Sequence, residues 1–529
     1  MRKFIFRKVI VPIVLLCVIA GVSFTLLLHG KSGNTYYLDS DNGDDSNSGT
    51  KPSEAWKSLS AVNEKTFGPG DRILFKAGCR WSGELHPKGS GEEGNPITIG
   101  MYGKGDKPLI AGSGGARSAA VRLVNQQYWE ISDLEITNDA DEPGNRQGVL
   151  IEAFGAGTVI NHIYLRNLYV HDVKGSLEFS DAAKLTGGII SKNSKGAIYN
   201  DFLIENCYVK NTDRSGIVAC LSPTLGIKST NVVIRNNTVE SAGGDGIICY
   251  CSESPLIEYN TSINANSRAY SRDDGYACAI WPWGCNNALL QYNEAYGTKA
   301  TLFGDDGTAW DCDGYNDGTI YQYNYSHDNE GGFMLLSIGA KNSVIRYNIS
   351  VNDGDLRLVY LCGDSINTSI YNNTFIIEDR NANTKMFEAL PGYSNQLWFD
   401  GIKAYNNIFY NLGKGGYQFG SGQNVVFDYN VFYGNHPDTE PYDPHKITAD
   451  PMFERPGSGG TGFNTLDGYK LKAGSPCIDS GICITNSIDK DFWGNRVFQG
   501  LTTDIGAFER KSSLKADINR AEATIERSK

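Results

Sequence analysis

The chain has 529 residues, with 48 Lys plus Arg against 60 Asp plus Glu and a net charge of −12. Binding to nucleic-acid phosphates requires clustered Lys and Arg, so this balance excludes a nucleic-acid partner. It also makes a polyanionic substrate unfavourable without a cation. The 61 glycines and 29 tyrosines are typical of a turn-rich all-β chain.

The chain begins with a basic stub of two Arg and two Lys, followed by an uncharged apolar run at residues 9–28. A run of this length spans a bilayer, and its cationic flank stays cytoplasmic. Residues 1–34 are therefore predicted to be a cytoplasmic stub with a transmembrane anchor, or a signal segment if they are cleaved. In both cases we expect the body to be exported, either at the cell surface or secreted.

Residues 35–125 are predicted to form an N-terminal cap and the first strands. Between Glu54 and Lys65, apolar residues recur at helical spacing, which predicts a short amphipathic helix. The first coil of a repeat architecture has an open edge, and this helix is expected to cover it.

One local pattern recurs through residues 126–435: a short β-branched or aromatic stretch followed by asparagine. The equivalent residues are Asn237, Asn260, Asn293, Asn324, Asn348, Asn373, Asn407 and Asn430. Subtracting successive numbers gives steps of 23, 33, 31, 24, 25, 34 and 23, a repeat that sometimes carries extra residues. Asparagine at a bend tolerates left-handed backbone, so each unit is expected to be one coil. The predicted fold is an all-β, right-handed parallel β-helix of about 10 to 11 coils.

Residues 436–510 depart from the repeat and predict a C-terminal cap, and residues 511–529 predict a polar tail. The strand at residues 70–75, the Asn repeat and the ending at residues 504–509 resemble exported bacterial right-handed β-helix proteins of the pectate-lyase-like superfamily. That superfamily includes lyases, glycoside hydrolases, epimerases and adhesins. The resemblance therefore implies a carbohydrate-active protein without specifying its reaction.

The two consecutive long steps, between residues 260 and 324, predict loops that protrude on one side and form the binding face. Aligning the coils on Gly246, Gly275, Gly307 and Gly332 predicts two columns of acids. The first column contains Asp245, Asp274 and Asp306, and the second contains Asp273, Asp305 and Glu330. Coils are about 4.8 Å apart, a separation at which like charges shift each other's pKa values strongly.

Strand alternation after Gly307 predicts that Asp311 and Asp313 face outward, beside the inserted loops, and that Cys278 and Leu335 face inward. The patch then contains acids, aromatic rings and one cation. Its predicted substrate-binding residues are Asp273, Asp311, Asp313, Trp281, Trp283, His327 and Arg357.

Two carboxyl groups on neighbouring coils are what glycoside hydrolysis requires, one as an acid and one as a nucleophile or base. Asp305 and Asp306 are the predicted catalytic pair, with Asp274 and Glu330 assisting. Asp305, Asp306 and Asp274 resemble the acids of β-helix sugar hydrolases, which stand as Asp-Asp plus Asp on successive coils. The predicted partner is an extracellular polysaccharide, and this reaction requires no cofactor.

Two alternatives remain open from the sequence. Asp305, Asp306 and Asp311 resemble the calcium segment of family nine pectate lyases, with two residues inserted, which implies a calcium-dependent lyase. Those lyases carry a lysine where residues 332–335 here have none, so Arg357 would have to act as the base. The third possibility is a non-catalytic carbohydrate-binding surface protein.

Overall fold

The computed structural model describes residues 33–178, 183–268, 276–301, 306–392, 396–484, 488–498 and 500–511. Within these ranges there is one α-helix, α1 (Leu59–Glu64), and there are short 3-10 helices at Pro52–Glu54, Ala183–Leu185 and Phe463–Tyr469. The strands of the N-terminal half are β1 (Thr35–Leu38), β2 (Thr66–Phe67), β3 (Arg72–Lys76), β4 (Arg80–Ser82), β5 (Lys88–Gly89), β6 (Ile97–Tyr102), β7 (Leu109–Ala111), β8 (Arg117–Val124), β9 (Trp129–Ser132), β10 (Glu135–Asn138), β11 (Asn145–Phe154), β12 (Val159–Arg166), β13 (Tyr169–Val173), β14 (Gly187–Ser194), β15 (Ile198–Glu205), β16 (Tyr208–Thr212), β17 (Ser215–Leu221), β18 (Ser229–Arg235) and β19 (Thr238–Glu240).

The remaining strands are β20 (Ile247–Tyr250), β21 (Ser252–Glu253), β22 (Leu256–Glu258), β23 (Thr261–Ile263), β24 (Ile280–Trp283), β25 (Leu289–Gln291), β26 (Glu294–Tyr296), β27 (Thr308–Cys312), β28 (Ile320–Gln322), β29 (Tyr325–His327), β30 (Gly332–Leu336), β31 (Val344–Arg346), β32 (Ile349–Val351), β33 (Arg357–Cys362), β34 (Ile366–Tyr371), β35 (Thr374–Ile377), β36 (Lys385–Leu390), β37 (Asp400–Tyr405), β38 (Ile408–Asn411), β39 (Tyr417–Gln418), β40 (Gln423–Asp428) and β41 (Val431–Gly434).

Three long parallel sheets run side by side along the chain. Sheet 1 has 15 strands, sheet 2 has 13 and sheet 3 has 11, counted over the described ranges. Successive strands enter sheets 1, 2 and 3 in turn, so that β9, β10 and β11 belong to one coil and β12, β13 and β14 to the next. Each strand pairs in parallel with the equivalent strand one coil away, as β12 does with β15. The structure is a right-handed parallel β-helix, which confirms the predicted fold.

The eight repeated asparagines form a buried ladder in the turn between sheets 1 and 2. Asn324 is typical: its backbone N–H and its Nδ2 both donate to Oδ1 of Asn348, at 2.9 and 3.1 Å, and Nδ2 also donates to the Leu290 carbonyl at 2.9 Å. Its own Oδ1 accepts the backbone N–H and Nδ2 of Asn293, both at 3.0 Å. The ladder ends at Asp443, whose carboxylate accepts two hydrogen bonds from Asn430 at 2.9 Å.

The left-handed backbone expected at these asparagines is instead adopted by the residue before each of them. Tyr323, which precedes Asn324, has φ of 57°, and Tyr347, which precedes Asn348, has φ of 50°. The left-handed residue turns the chain, and the asparagine that follows points inward, where its amide can satisfy neighbouring backbone groups. The repeated asparagine is therefore selected by hydrogen bonding more than by the bend itself.

Helix α1 confirms the predicted N-terminal helix, although it is shorter than the interval from Glu54 to Lys65. It buries Leu59 and Val62 against the first coils. Trp56, which precedes the helix, pairs its backbone with Leu38 at the end of β1.

The C-terminal region after β41 closes the end of sheet 2 and covers part of its outer face. Ile447 pairs with Val431, which closes the end of sheet 2. The segment from Phe453 onward then turns back along the outer face of sheet 2, where Phe453, Tyr469 and Phe492 belong to the same buried cluster as side chains of β29 to β41. The C-terminal half of sheet 2 is therefore covered by this segment. The segment covers sheet 2 and not the outer face of sheet 3.

Candidate active site

A row of outward side chains on sheet 3 carries the candidate site. Ile248 pairs with Trp281, and the pairing of Ile280 with Trp310 places Trp281 beside Asp311. Asp311 in turn pairs with Leu335. The row changes from apolar to acidic at β27, which contains Asp311, one of the predicted substrate-binding residues.

Three carboxyl groups are concentrated around β27. Asp311 is 3% exposed, and burial raises its pKa well above the usual range, with Asp313 and Asp306 adding to the effect. Asp313 is half-buried, and burial raises its pKa as well. Asp306 is also half-buried. Trp310 and Cys312 belong to the main core, so Asp311 between them lies on the opposite, outer face of β27.

A buried ion pair lies beneath this group. Arg214 and Asp245 are both fully buried, with 3.2 Å between Arg214 Nη2 and Asp245 Oδ2. The Asp245 carboxylate also accepts hydrogen bonds from Trp281 Nε1 at 3.1 Å and from the Cys278 backbone N–H at 3.3 Å. Asp245 therefore orients the tryptophan of the site, and its negative charge raises the pKa values of Asp311 and Asp313.

Lys184 is the cation of the site. Its Nζ lies 4.5 Å from the centre of the Trp281 ring. Burial lowers the pKa of Lys184, but Tyr250, Asp245 and Asp313 outweigh this and raise it overall. In return, Lys184 opposes the rise in pKa of both Asp311 and Asp313.

Aromatic rings border the carboxyl groups. Tyr250 pairs with Trp283, and their ring centres are 5.5 Å apart. Trp283 also makes an edge-to-face contact with the exposed Tyr315, with 5.7 Å between ring centres. Because Trp281 is buried and Trp283 is half-buried, Trp283 is the ring of the predicted pair that offers more surface to a ligand.

The glycine alignment that produced the two predicted columns is wrong. Ile247 pairs with Ile280, which aligns Gly246 with Ala279 instead of Gly275. The Gly331 N–H donates to the Gly307 carbonyl at 3.0 Å, which places Glu330 beside Asp306 instead of Asp305. The number of residues between strands changes from coil to coil without advancing the strand register, so a glycine before a strand is not a fixed reference point.

The predicted inward positions of Cys278 and Leu335 are also wrong. Cys278 packs with Trp281 and Ile248 in a cluster separate from the main core, and Leu335 packs with Tyr360. Ala279 and Ile280 both belong to the main core. Two consecutive inward residues interrupt the alternation, because the chain bends as it enters β24.

Asp273, Asp274 and Asp305 lie outside the described residues. Within the described ranges, three acidic, histidine or cysteine ligand atoms come within 4.8 Å of one another only at Asp39, Asp41 and Cys79, so Asp306, Asp311 and Asp313 do not form such a group.

Two other predicted site residues, Glu330 and Arg357, are engaged by neighbouring side chains or backbone groups. Glu330 accepts hydrogen bonds from Lys299 Nζ at 2.8 Å and the Ala300 N–H at 3.0 Å. Arg357 lies further along sheet 3, where it binds Glu388 at 2.6 Å and stacks on Tyr360. Both residues are therefore held by partners at the margin of the site.

His327 is on sheet 2 and does not belong to the carboxyl cluster. Its ring lies between Tyr296 and Tyr325, with Nδ1 2.7 Å from Asp328 and Nε2 3.4 Å from Glu294. Burial lowers its pKa, but the two carboxylates outweigh burial and raise the pKa to about 9. A turn separates β29 from β30, so residues close in sequence face different sides of the coil.

Sequence reasoning missed Lys184, Arg214 and Tyr250. They come from preceding coils, and none lies in the inserted segments that drew attention to the site. The predicted first column of acids includes Asp245, but nothing in the sequence identifies Arg214 as its partner.

None of the helices in the described ranges is long and apolar enough to cross a membrane; the apolar run at residues 9–28 lies outside those ranges.

Comparison with known proteins gives consistent results. Residues 119–293 match the family model for a right-handed beta helix region. The crystal structure of a GH136 lacto-N-biosidase from Eubacterium ramulus is 30% identical with a TM-score of 0.60, and the match covers 75% of this chain and 67% of that one. The lacto-N-biosidase of Bifidobacterium longum subsp. longum is 30% identical over 90% of this chain, which spans 36% of the length of that protein. A complex of XylC with xylose is 12% identical with a TM-score of 0.53, a similarity of fold alone.

Proposed function

Because the chain belongs to the GH136 family of lacto-N-biosidases, we propose that it is a glycoside hydrolase that acts on extracellular glycans. Its relatives' names make glycans with a lacto-N-biosyl end the first substrates to test. The observation that carries the proposal is the carboxyl cluster around β27, beside aromatic rings on the outer face of sheet 3.

We infer that Asp306 and Asp313 are the two carboxyl groups that contact the substrate. Both are half-buried and therefore reachable, whereas Asp311 is 3% exposed. The raised pKa of Asp313 keeps a proton on this group at higher pH, as a proton donor to the leaving oxygen requires. Asp306 then acts as the second carboxyl group, on the sugar or on the attacking water.

Asp311 is proposed to act as a neutral neighbour of this pair. Its strongly raised pKa removes a third negative charge from the site, and its buried Oδ1 has no hydrogen-bond partner within the described part of the chain. A protonated carboxyl group can donate a hydrogen bond to Asp313 or to bound sugar without repelling either.

Trp283, supported from beneath by the buried Tyr250, is proposed to form the apolar surface of the sugar site. A pyranose ring has an apolar face of C–H groups, and aromatic side chains combine such a surface with a polar edge. Lys184 is positioned beside Trp281 to donate a hydrogen bond to a sugar hydroxyl and to limit the charge of the carboxyl cluster.

The test is hydrolysis of a glycan panel by the purified chain and its variants, with and without a chelator. Asp313→Asn and Asp306→Asn should each lower kcat by about 10² to 10⁴-fold, the usual contribution of a positioned acid or base. Asp317→Asn, at an exposed aspartate of the following turn, is the matched control and should retain activity. Full activity of Asp313→Asn would refute the assignment.

The same assay separates the alternatives. New reducing ends support hydrolysis, whereas unsaturated products that are lost on chelation would support the calcium-dependent lyase. The proposed hydrolase reaction uses no metal, so chelation should leave it unchanged. Glycan binding without any product would support the non-catalytic surface protein.

We also propose that the protein is exported and held at the membrane by residues 9–28. The support is the apolar length of this run and the basic residues before it. Fractionation of cells that produce the full chain should recover it with the membrane, accessible to protease from outside. Recovery of all the protein in the medium would support cleavage of the segment instead.

A further inference from the structure

We propose that a cleft on the outer face of sheet 1 is a second carbohydrate-binding site, which holds a neutral glycan away from the carboxyl cluster. The choice of glycan as ligand rests on the proposed function. The cleft has a volume of about 530 Å³ and is lined by β9, β12, β15 and the loop before β6, including Tyr128, Asn161, His162, Asn200 and Asp201. This volume lies in the range of small-ligand sites, which is about 300 to 1,000 Å³.

One row of the cleft consists of residues with left-handed backbone. The strand pairings align Tyr128, His162 and Asp201 on successive coils. Their φ values are 58°, 54° and 61°. Left-handed backbone is unfavourable for tyrosine and histidine, but here it makes the three side chains project together from the sheet.

A second row supplies amides in register. Asn200 Nδ2 donates to Asn161 Oδ1 at 2.8 Å, and Asn161 Nδ2 donates to Gln127 Oε1 at 3.0 Å. Thr230 continues the row by donating its hydroxyl to Asn200 Oδ1 at 2.9 Å. Asn200 Oδ1 also accepts from Asn231 Nδ2 at 2.9 Å, which uses its second lone pair. Each of the two asparagine amides still has a second N–H to donate to a ligand. The row therefore repeats N–H donors at the coil spacing of about 4.8 Å.

The aromatic part of the cleft is rigid before any ligand binds. Tyr128 and His162 are stacked, with 6.0 Å between ring centres and 20° between ring planes. His162 Nδ1 is 2.7 Å from Asp201 and Nε2 is 2.9 Å from Glu130. A ring held from both nitrogens loses little conformational freedom on binding, which lowers the cost of association.

The charges of the cleft select the class of ligand. Glu93, Glu130 and Asp201 are acidic, and the nearby Arg166 already pairs with Glu130 at 3.1 Å, so an anionic ligand is disfavoured. The lining residues do not belong to the metal-type cluster found within the described ranges. Planar amides and carboxylates beside aromatic faces match the hydroxyls and C–H faces of a neutral sugar.

The cleft is distinct from the candidate active site. It lies on sheet 1, whereas the carboxyl cluster lies on sheet 3. The coil that contains β27 contributes β25 to sheet 1. Within sheet 1, β25 is four coil steps from β12, or about 19 Å along the axis. A glycan or glycoprotein held in the cleft therefore stays attached while another part of it enters the active site, which raises its effective concentration there.

The experiment is calorimetric titration of the full chain in the Asp313→Asn background with neutral oligosaccharides that carry a lacto-N-biosyl end. Tyr128→Asn removes the ring but keeps a side chain that tolerates left-handed backbone. Tyr259→Asn is the matched control, because Tyr259 has φ of 55° and is 51% exposed, but lies outside the cleft. Thermal melting of each variant checks that the coils remain folded.

We expect Tyr128→Asn to abolish one binding event or weaken it at least about tenfold, and His162→Asn to do the same, while Tyr259→Asn retains it. Unchanged binding in both cleft variants would overturn the proposal, as would equal loss in the Tyr259 control. Turnover by the unsubstituted chain tests the hydrolase separately. A binding event that depends on Tyr128 in a chain without turnover would support the cleft and refute the proposed function alone.

Discussion

Replacing Asp245 by asparagine removes one charge from the fully buried pair with Arg214. The substitution preserves shape, and the amide oxygen can still accept from Trp281 and Cys278, so the charge is the main variable. Both partners have 0% exposure, and Arg214 Nε and Nη1 have no hydrogen-bond partner within the described residues. The guanidinium would be left buried without a counter-charge, which costs about 3 to 5 kcal/mol.

The loss should be measured locally, because coils of a repeat structure open with their neighbours instead of unfolding together. Amide hydrogen exchange in β20 and β24 should report an opening free energy that is lower by about 3 to 5 kcal/mol. The double variant with Arg214→Met removes both charges and should be more stable than Asp245→Asn alone. If the double variant lost the sum of the two single losses, the pair would not be coupled.

The same substitution has a signed effect on activity. Asp245 raises the pKa of Asp313, so its neutralisation lowers that pKa. If Asp313 is the proton donor, the alkaline limb of the kcat/KM profile should move to lower pH. A limb that moves upward, or does not move in a variant with reduced stability, would refute the assignment of Asp313 as the acid.

Lys184→Met should move the alkaline limb of the kcat/KM profile to higher pH, because burial raises the pKa of Asp313 and Lys184 opposes the rise. Lys184→Arg keeps the charge and should keep the original limb. Equal shifts in both variants would exclude a charge effect. Asn324→Ala removes four buried hydrogen bonds and should lower the local opening free energy by about 4 kcal/mol, at about 1 kcal/mol each. Hydrogen exchange measures this loss. The control is Asn286→Ala, at a half-buried residue whose side chain donates one hydrogen bond, and it should cost about 1 kcal/mol. The folded pKa of His327, about 9, is above its usual 6.5, so its stabilising contribution is complete below pH 6.5 and is lost as pH rises through 9. His327→Gln should flatten the pH dependence of thermal unfolding over that interval, and an unchanged slope would contradict the raised pKa.

The fold could be predicted from the sequence because one local rule repeats along the chain. In each of the eight coils of the ladder, a buried asparagine satisfies backbone N–H and carbonyl groups at the turn between sheets 1 and 2, as Asn324 does. The repeat spacing thus records the coil length directly, whatever the loops contain. The outward placement of Asp311 and Asp313 was predictable for a related reason, since strand alternation is also a local property.

The site could be predicted only in part, because its geometry depends on register between distant coils. Inserted residues hide that register, so the sequence paired Gly246 with Gly275 where the structure pairs it with Ala279. Asp311 is buried and Asp313 half-buried for a tertiary reason, namely which neighbours pack over each. Lys184 reaches the site only because preceding coils stack beneath β27. The turn position that carries the asparagine of each ladder coil can be predicted from the local sequence, whereas the burial and charge of the site residues depend on contacts between coils.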